Sequence, residues 1–236
     1  MATMLTSSLK TFNKILVANR SEIAIRIMRA ATELGKHTVA VYAEEDKLSL
    51  HRFKADEAYL IGEGLGPVGA YLSIDEMIRV ALETNCDALH PGYGLLSENP
   101  ALVDACEANG IAFIGPSAET MRALGDKASA RQIAIQANVP VIPATDVIGE
   151  DMDIIASQAA SIGYPLMLKA SWGGGGRGMR PINAPQELEA KVREGQREAE
   201  AAFGNGEGYL EKMITRARHV EVQILGDKQG EIYHLW

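Results

Sequence analysis

The residues with most chemical potential run from Lys169 to Met179, Lys-Ala-Ser-Trp-Gly-Gly-Gly-Gly-Arg-Gly-Met. Gly173, Gly174, Gly175 and Gly176 carry no Cβ, so their N–H groups can turn together toward one oxyanion. Lys169 can add a positive charge beside a triphosphate. A flap folded over the nucleotide would exclude water and strengthen each charge interaction beneath it. A flexible linker has a similar glycine content, but linkers are flanked by polar sequence, whereas this run joins two apolar stretches. Phosphate cover is the favoured reading.

Other residues converge on a nucleotide more weakly. Lys127 opens a helix, where its charge would reinforce the attraction of the N-terminal dipole for phosphate. An ordinary exposed lysine fits that position equally well. Glu211 and Lys212 end a strand, Gly208 to Lys212, which could offer backbone groups to a purine edge. His219, Glu221 and Gln223 fall on one face of an expected strand by the period-two rule, either lining a cleft or facing solvent. His90-Pro91-Gly92-Tyr93-Gly94 follows a buried strand at its carboxyl end, where open α/β sheets place ligand crevices. A rigid turn with a structural histidine is the favoured reading there.

Two common phosphate motifs are absent. No G-K-[ST] follows the glycines, so this is not a P-loop. The first strand turns through Ala18-Asn19-Arg20-Ser21-Glu22 and not G-x-G-x-x-G, which places a nicotinamide oxidoreductase last among the candidates.

The elements that must position these residues alternate. Ile15 to Ala18 is a short apolar strand, and Ile23, Ile27, Ala30, Ala31 and Leu34 recur at helical spacing before Gly35 stops the helix. Strands are expected at 38–42, 58–61, 88–90 and 112–114, with helices at 74–82 and 101–108. Such alternation implies a parallel sheet with helices on its faces. From residue 126 the character changes. A helix over 127–138, which Asp126 could cap, is followed by extended Val139 to Pro143 and a helix over 154–162. A strand, glycine loop and strand then form a hairpin. The next helix places Leu188, Val192, Ala199 and Phe203 on one face, and its charges read as a solvated face. Glu231 to Trp236 begins a strand with neither cap nor partner, so the sequence is expected to be a fragment.

The chain has 236 residues and a formal net charge of −8, from 23 Lys plus Arg against 31 Asp plus Glu. An acidic surface argues against broad nucleic-acid or anionic-membrane binding, while leaving room for a local positive pocket. Cys86 and Cys106 form no C-x-x-C pair and read as free thiols in a reducing cytosol, so a cytoplasmic location is expected. No apolar run approaches bilayer length.

These segments together resemble the biotin carboxylase module, an ATP-grasp enzyme. The matching pieces are Lys14–Arg26, His90–Asn99, Phe113–Pro116, Gly125–Lys127, the glycine loop, and Arg218–Gln223, in the family's order. The resemblance implies an α/β fold: a Rossmann-like parallel-sheet N-terminal domain over 12–124, then the beginning of an ATP-grasp domain over 125–236. It implies that Lys127 and Lys169 contact ATP, that Gly173 to Gly176 lie over its phosphates, and that Met179 packs on the purine. Glu211 and Lys212 would border the adenine and His219 would approach the ribose. Arg29 and Glu33 match positions of a subunit contact, so a homo-oligomer is expected at full length.

The stretch from Glu44 to Ile74, with Lys169–Trp172, looks most like the pyruvate-carboxylating branch. The implied reaction uses MgATP to activate bicarbonate and carboxylates biotin on a separate carrier domain, and pyruvate then becomes oxaloacetate. The Mg2+ carboxylates, the bicarbonate-binding arginine and the catalytic base of the family lie beyond Trp236, so the chain alone is expected not to turn over. Trp172 departs from the glycine that many relatives carry. The alternatives are the biotin carboxylase of an acyl-CoA carboxylase, another ATP-grasp ligase such as a carbamoyl-phosphate synthetase half, and a non-catalytic ATP-binding module.

Overall fold

A computed structural model describes residues 11–125, 127–171, 179–227 and 229–235. The glycine loop and the capping role expected of Asp126 lie outside the described residues. The chain divides into two compact units, 1–130 and 131–236.

The first unit follows the alternating pattern. Its elements are β1 (Lys14–Val17), α1 (Ser21–Glu33), β2 (His37–Tyr42), β3 (Glu57–Leu60), α2 (Gly66–Gly69), α3 (Ile74–Glu83), β4 (Ala88–His90), α4 (Pro100–Ala108), β5 (Ala112–Phe113) and α5 (Ala118–Gly125). All strand pairings are parallel, in the order β3-β2-β1-β4-β5. Leu16, Val39, Val41 and Leu89 are wholly buried beneath α3 and α4 with Met77, Val80 and Leu102. Val17 and Ala40 pack on the opposite face against Ala24 and Met28 of α1. Burying each such aliphatic side chain contributes about 1.5–3 kcal/mol. Both strand faces are covered, which explains the continuous apolar runs. The solvent face of α1 carries the Arg29–Glu33 ion pair at 3.0 Å, with both side chains well exposed.

Local sequence explains the ends of these elements. Ser73 caps α3 by accepting from the Glu76 N–H, and Asn99 caps α4 by accepting from that of Ala101. Gly62 has φ +63°, and a Cβ there would lie 2.3 Å from the Ala70 Cα, so only glycine fits.

Between β2 and β3 the chain makes a polar knot. The Asp46 carboxylate accepts from Tyr71 Oη and Ser49 Oγ, each at 2.7 Å, and Arg20 lies 3.6 Å away. Burial raises the Asp46 pKa, but those hydroxyl donors and Arg20 outweigh it and hold the carboxyl below its usual range. Wholly buried His51 donates from Nε2 to the Val41 carbonyl at 3.1 Å, and its Nδ1 has no partner among the described residues. Burial depresses its pKa, in keeping with a neutral ring.

Helix α6 (Lys127–Gln136) crosses the boundary between the units. The second unit contains α7 (Met152–Ile162), β6 (Leu166–Ala170), β7 (Arg180–Ile182), α8 (Leu188–Phe203), β8 (Gly208–Lys212), β9 (Gln223–Gly226) and β10 (Ile232–Leu235). Strands β7-β6-β8 form an antiparallel sheet in that order, with Leu166 opposite Ile182, as the hairpin expectation required. Ile155, Leu166, Leu168, Ile182, Leu188, Val192 and Leu210 make its core. Ala199 of α8 is buried as expected. Asp151 caps α7 through N–H donors at Asp153 and Ile154. The last strand differs from expectation. β10 pairs antiparallel with β9, Ile232 opposite Gly226, around a turn in which Asp227 accepts from the Gln229 and Glu231 N–H groups.

Candidate nucleotide-binding site

Strand alternation sorts the second unit's chemistry. Leu166, Leu168 and Ala170 of β6 turn into the core, so Met167 and Lys169 face the other way. β8 pairs with β6 so that Glu211 lies opposite Met167 and Tyr209 opposite Lys169. Lys169 and Glu211 are therefore diagonal neighbours on one face, and Lys169 Nζ is hydrogen-bonded to Glu211 Oε1. Their side chains are 27% and 15% exposed, so the pair is partly withdrawn from water. Directly after β6, the Ser171 hydroxyl is buried and has no hydrogen-bond partner among the described residues.

Lys212 points elsewhere. Its ammonium donates to the Gly163 and Tyr164 carbonyls, both at 2.8 Å, and so holds the turn before β6. Its N–H donates to the Pro143 carbonyl and the N–H of Met213, just after β8, to that of Pro165. Lys212 can thus serve a ligand through its position on the strand, its charge being engaged. Met179 precedes β7 and is 38% exposed, which leaves its thioether accessible. His219 lies outside regular structure: the alternation from 219 is realised as a strand only from Gln223. His219 Nε2 contacts Glu221 Oε1 at 3.1 Å on a surface where both are at least 80% exposed. Lys127 stands at the first position of α6, and Gly173 to Gly176 lie outside the described residues. Of the residues singled out in the sequence, the structure brings Lys169, Glu211 and Lys212 together on one sheet.

In the first unit the strand order reverses between β1 and β4, and the segments that follow their carboxyl ends pack together there. Asn19, nearly fully buried, donates from Nδ2 to the Pro91 carbonyl at 2.7 Å and the Tyr93 carbonyl at 2.9 Å. Its Oδ1 accepts from the Arg20 N–H at 2.8 Å. Gly92 has φ +69°, and a Cβ there would come within 2.8 Å of Asn19 Nδ2. His90 Nδ1 accepts from the Gly92 N–H at 3.0 Å, and burial lowers its pKa. The imidazole is a structural acceptor, as the rigid-turn reading expected. Sequence reasoning missed Asn19, for which the only signal is its place at the end of a parallel strand.

Family models cover both halves of the chain. Residues 11–121 match the biotin carboxylase N-terminal domain, and residues 126–236 match the ATP-binding domain of the carbamoyl-phosphate synthase L chain. The chain carries a biotin carboxylase N-terminal domain and an ATP-binding domain. Among its relatives is pyruvate carboxylase 1 of Caenorhabditis elegans, 53% identical over 227 residues, which are 96% of this chain and 19% of that protein. The structure of Rhizobium etli pyruvate carboxylase with acetyl coenzyme-A superposes with a TM-score of 0.84 at 61% identity, over 95% of this chain and 20% of that one. The biotin carboxylase domain of Hydrogenobacter thermophilus 2-oxoglutarate carboxylase, a dimer in complex with MgADP, ADP and bicarbonate, gives 0.87 at 44% identity, over 95% and 49%. The chain thus spans about a fifth of the curated relatives it matches. As in those biotin carboxylase domains, it pairs a parallel-sheet α/β unit with part of an ATP-grasp fold. No helix among the described residues is long and apolar enough to cross a membrane.

Proposed function

We propose that this chain supplies the N-terminal part of the site at which a pyruvate carboxylase uses MgATP and bicarbonate to carboxylate biotin, the first half-reaction from pyruvate to oxaloacetate. The observation that carries the reading is the Lys169–Glu211 pair on the face of β6 and β8 that turns away from the core. There a partly buried lysine stands next to the last residue of β6, three positions before Trp172 and four before the first of the consecutive glycines in the sequence. In this reading Lys127 and Lys169 neutralise the triphosphate, and Gly173 to Gly176 cover it. Met179 packs on the purine, Glu211 and Lys212 border its edge, and His219 reaches the ribose. The domain boundary falls near residue 125.

Biotin, on a carrier domain, would supply the nitrogen that receives the carboxyl group. Among the described residues no group of three His, Cys, Asp or Glu could hold a metal ion. The complexes of the Hydrogenobacter relative with MgADP and bicarbonate support these ligands, and its dimer supports a homo-oligomer. A cytoplasmic location completes the reading.

Calorimetric titration of the chain with MgATP tests it. Lys169→Ala is expected to weaken binding roughly tenfold, the scale of one charge-assisted contact to phosphate. Binding unaffected by that substitution would overturn the assignment. With bicarbonate and biotin added, the chain alone is expected to release no ADP.

A further inference from the structure

The two neighbouring lysines of this sheet are held in different ways. Lys212 gives its ammonium to two neutral carbonyls, Gly163 and Tyr164, as part of the fold. Lys169, one strand away, has Glu211 as its hydrogen-bonded ion-pair partner, and that partner is itself an anion. The carboxylate occupies the position beside the ammonium that an anionic ligand would need. A polyphosphate brings several negative charges to the same point, where Glu211 offers one, and the two anions repel each other at short range.

We propose that the Glu211 carboxylate is a displaceable counter-ion of Lys169: it holds the ammonium while the face is empty, and a polyphosphate takes the ammonium from it. The inference rests on reading this face as a triphosphate site, and it gives the Glu211 side chain a role separate from any backbone contact that β8 makes to a base. Binding is then an exchange of partners for one ammonium. The resting pair keeps a half-buried cation compensated, since an unpaired one would be costly. The same pair opposes the ligand, so removal of the carboxylate strengthens phosphate binding. A carboxylate that merely shaped Lys169 for its ligand would have the opposite effect.

The test uses inorganic tripolyphosphate, which has phosphates but no base, titrated calorimetrically into the 236-residue chain and its variants. Glu211→Gln, nearly isosteric, is expected to bind about tenfold more tightly than the parent, the scale of a charge-assisted interaction removed from competition. Glu211→Ala should change binding in the same direction, and thermal melts should show both variants folded. High salt should narrow the gap between parent and variants. Unchanged or weaker binding by folded Glu211→Gln and Glu211→Ala overturns the exchange while leaving the triphosphate site standing, provided Lys169→Ala weakens MgATP binding. If Lys169→Ala changes neither ligand, or the parent binds neither, the site reading fails and the exchange fails with it.

Discussion

Replacing Asn19 with aspartate keeps the shape of the side chain and changes one group, so it isolates the clamp between the β1–α1 turn and the 91–93 segment. The amide donates to two carbonyls, at 2.7 and 2.9 Å, from a side chain only 3% exposed. An ionised aspartate has no proton to offer and sets its own oxygens against both. A carbonyl left without a donor costs about 1–3 kcal/mol, so losing both bonds, one buried and one part-buried, should cost about 2–6 kcal/mol near pH 7.

The loss should depend on pH. Burial opposes the charged form, so the new carboxyl titrates higher in the folded chain than the ordinary value of about 3.9 in the unfolded one. The folded state then binds more protons between those two values, and stability falls as pH rises through that window. Below about pH 4 the protonated acid regains one donor, and about half the loss should return. Hydrogen exchange at the amides of β1 and β4, and at Ala18, whose N–H is bonded to the His90 carbonyl at 2.9 Å, reports on this unit alone. A loss below 1 kcal/mol, or one constant from pH 4 to pH 8, would refute the reasoning about the clamp.

Two further outcomes follow from the same unit. Glu57 binds Lys14 at 2.6 Å, Tyr59 at 2.7 Å and His37 at 2.8 Å, and the Lys14 and Tyr59 bonds above all depress its pKa from 4.5 to about 2. Its contribution is present above pH 4.5 and is lost as pH falls toward 2; because the side chain is 30% exposed, Glu57→Gln should remove only about 1 kcal/mol near neutrality and flatten that acid limb. An acid-unfolding curve identical to the parent's counts against it. Gly62→Ala forces a Cβ to 2.3 Å from the Ala70 backbone at φ +63°, and should cost upward of about 3 kcal/mol in a urea melt; a cost under about 1 kcal/mol would show that the 62–70 turn can move aside.

Much of the fold was legible because it depends on local pattern. The apolar run from Ile15, the helical spacing of α1 and the later strand–helix alternation each report burial along one element, and the structure keeps them within a few residues. The same logic failed at residues 219–222, where polar and apolar side chains alternate without a strand. Alternation states which faces differ, but a strand also needs a neighbour to hydrogen-bond. β10 errs the other way: it looked unpartnered in sequence, yet Gln223–Gly226 folds back against it.

The site divides along the same line. That Lys169 precedes a glycine run is a property of adjacent residues, and so is the expectation of a phosphate ligand. That its ammonium is held by Glu211, while the charge of Lys212 is spent on the turn before β6, is not written in either stretch. The first pair lies 42 residues apart and the Lys212 contacts span 48 and 49. Asn19 reaches across 72 and 74 residues to its two carbonyls. Sequence alone determined the residue chemistry and the elements, because periodicity and backbone permissiveness act over a few residues. Tertiary structure decided which charges remain for a ligand, because strand order and register bring distant donors and acceptors within hydrogen-bonding reach.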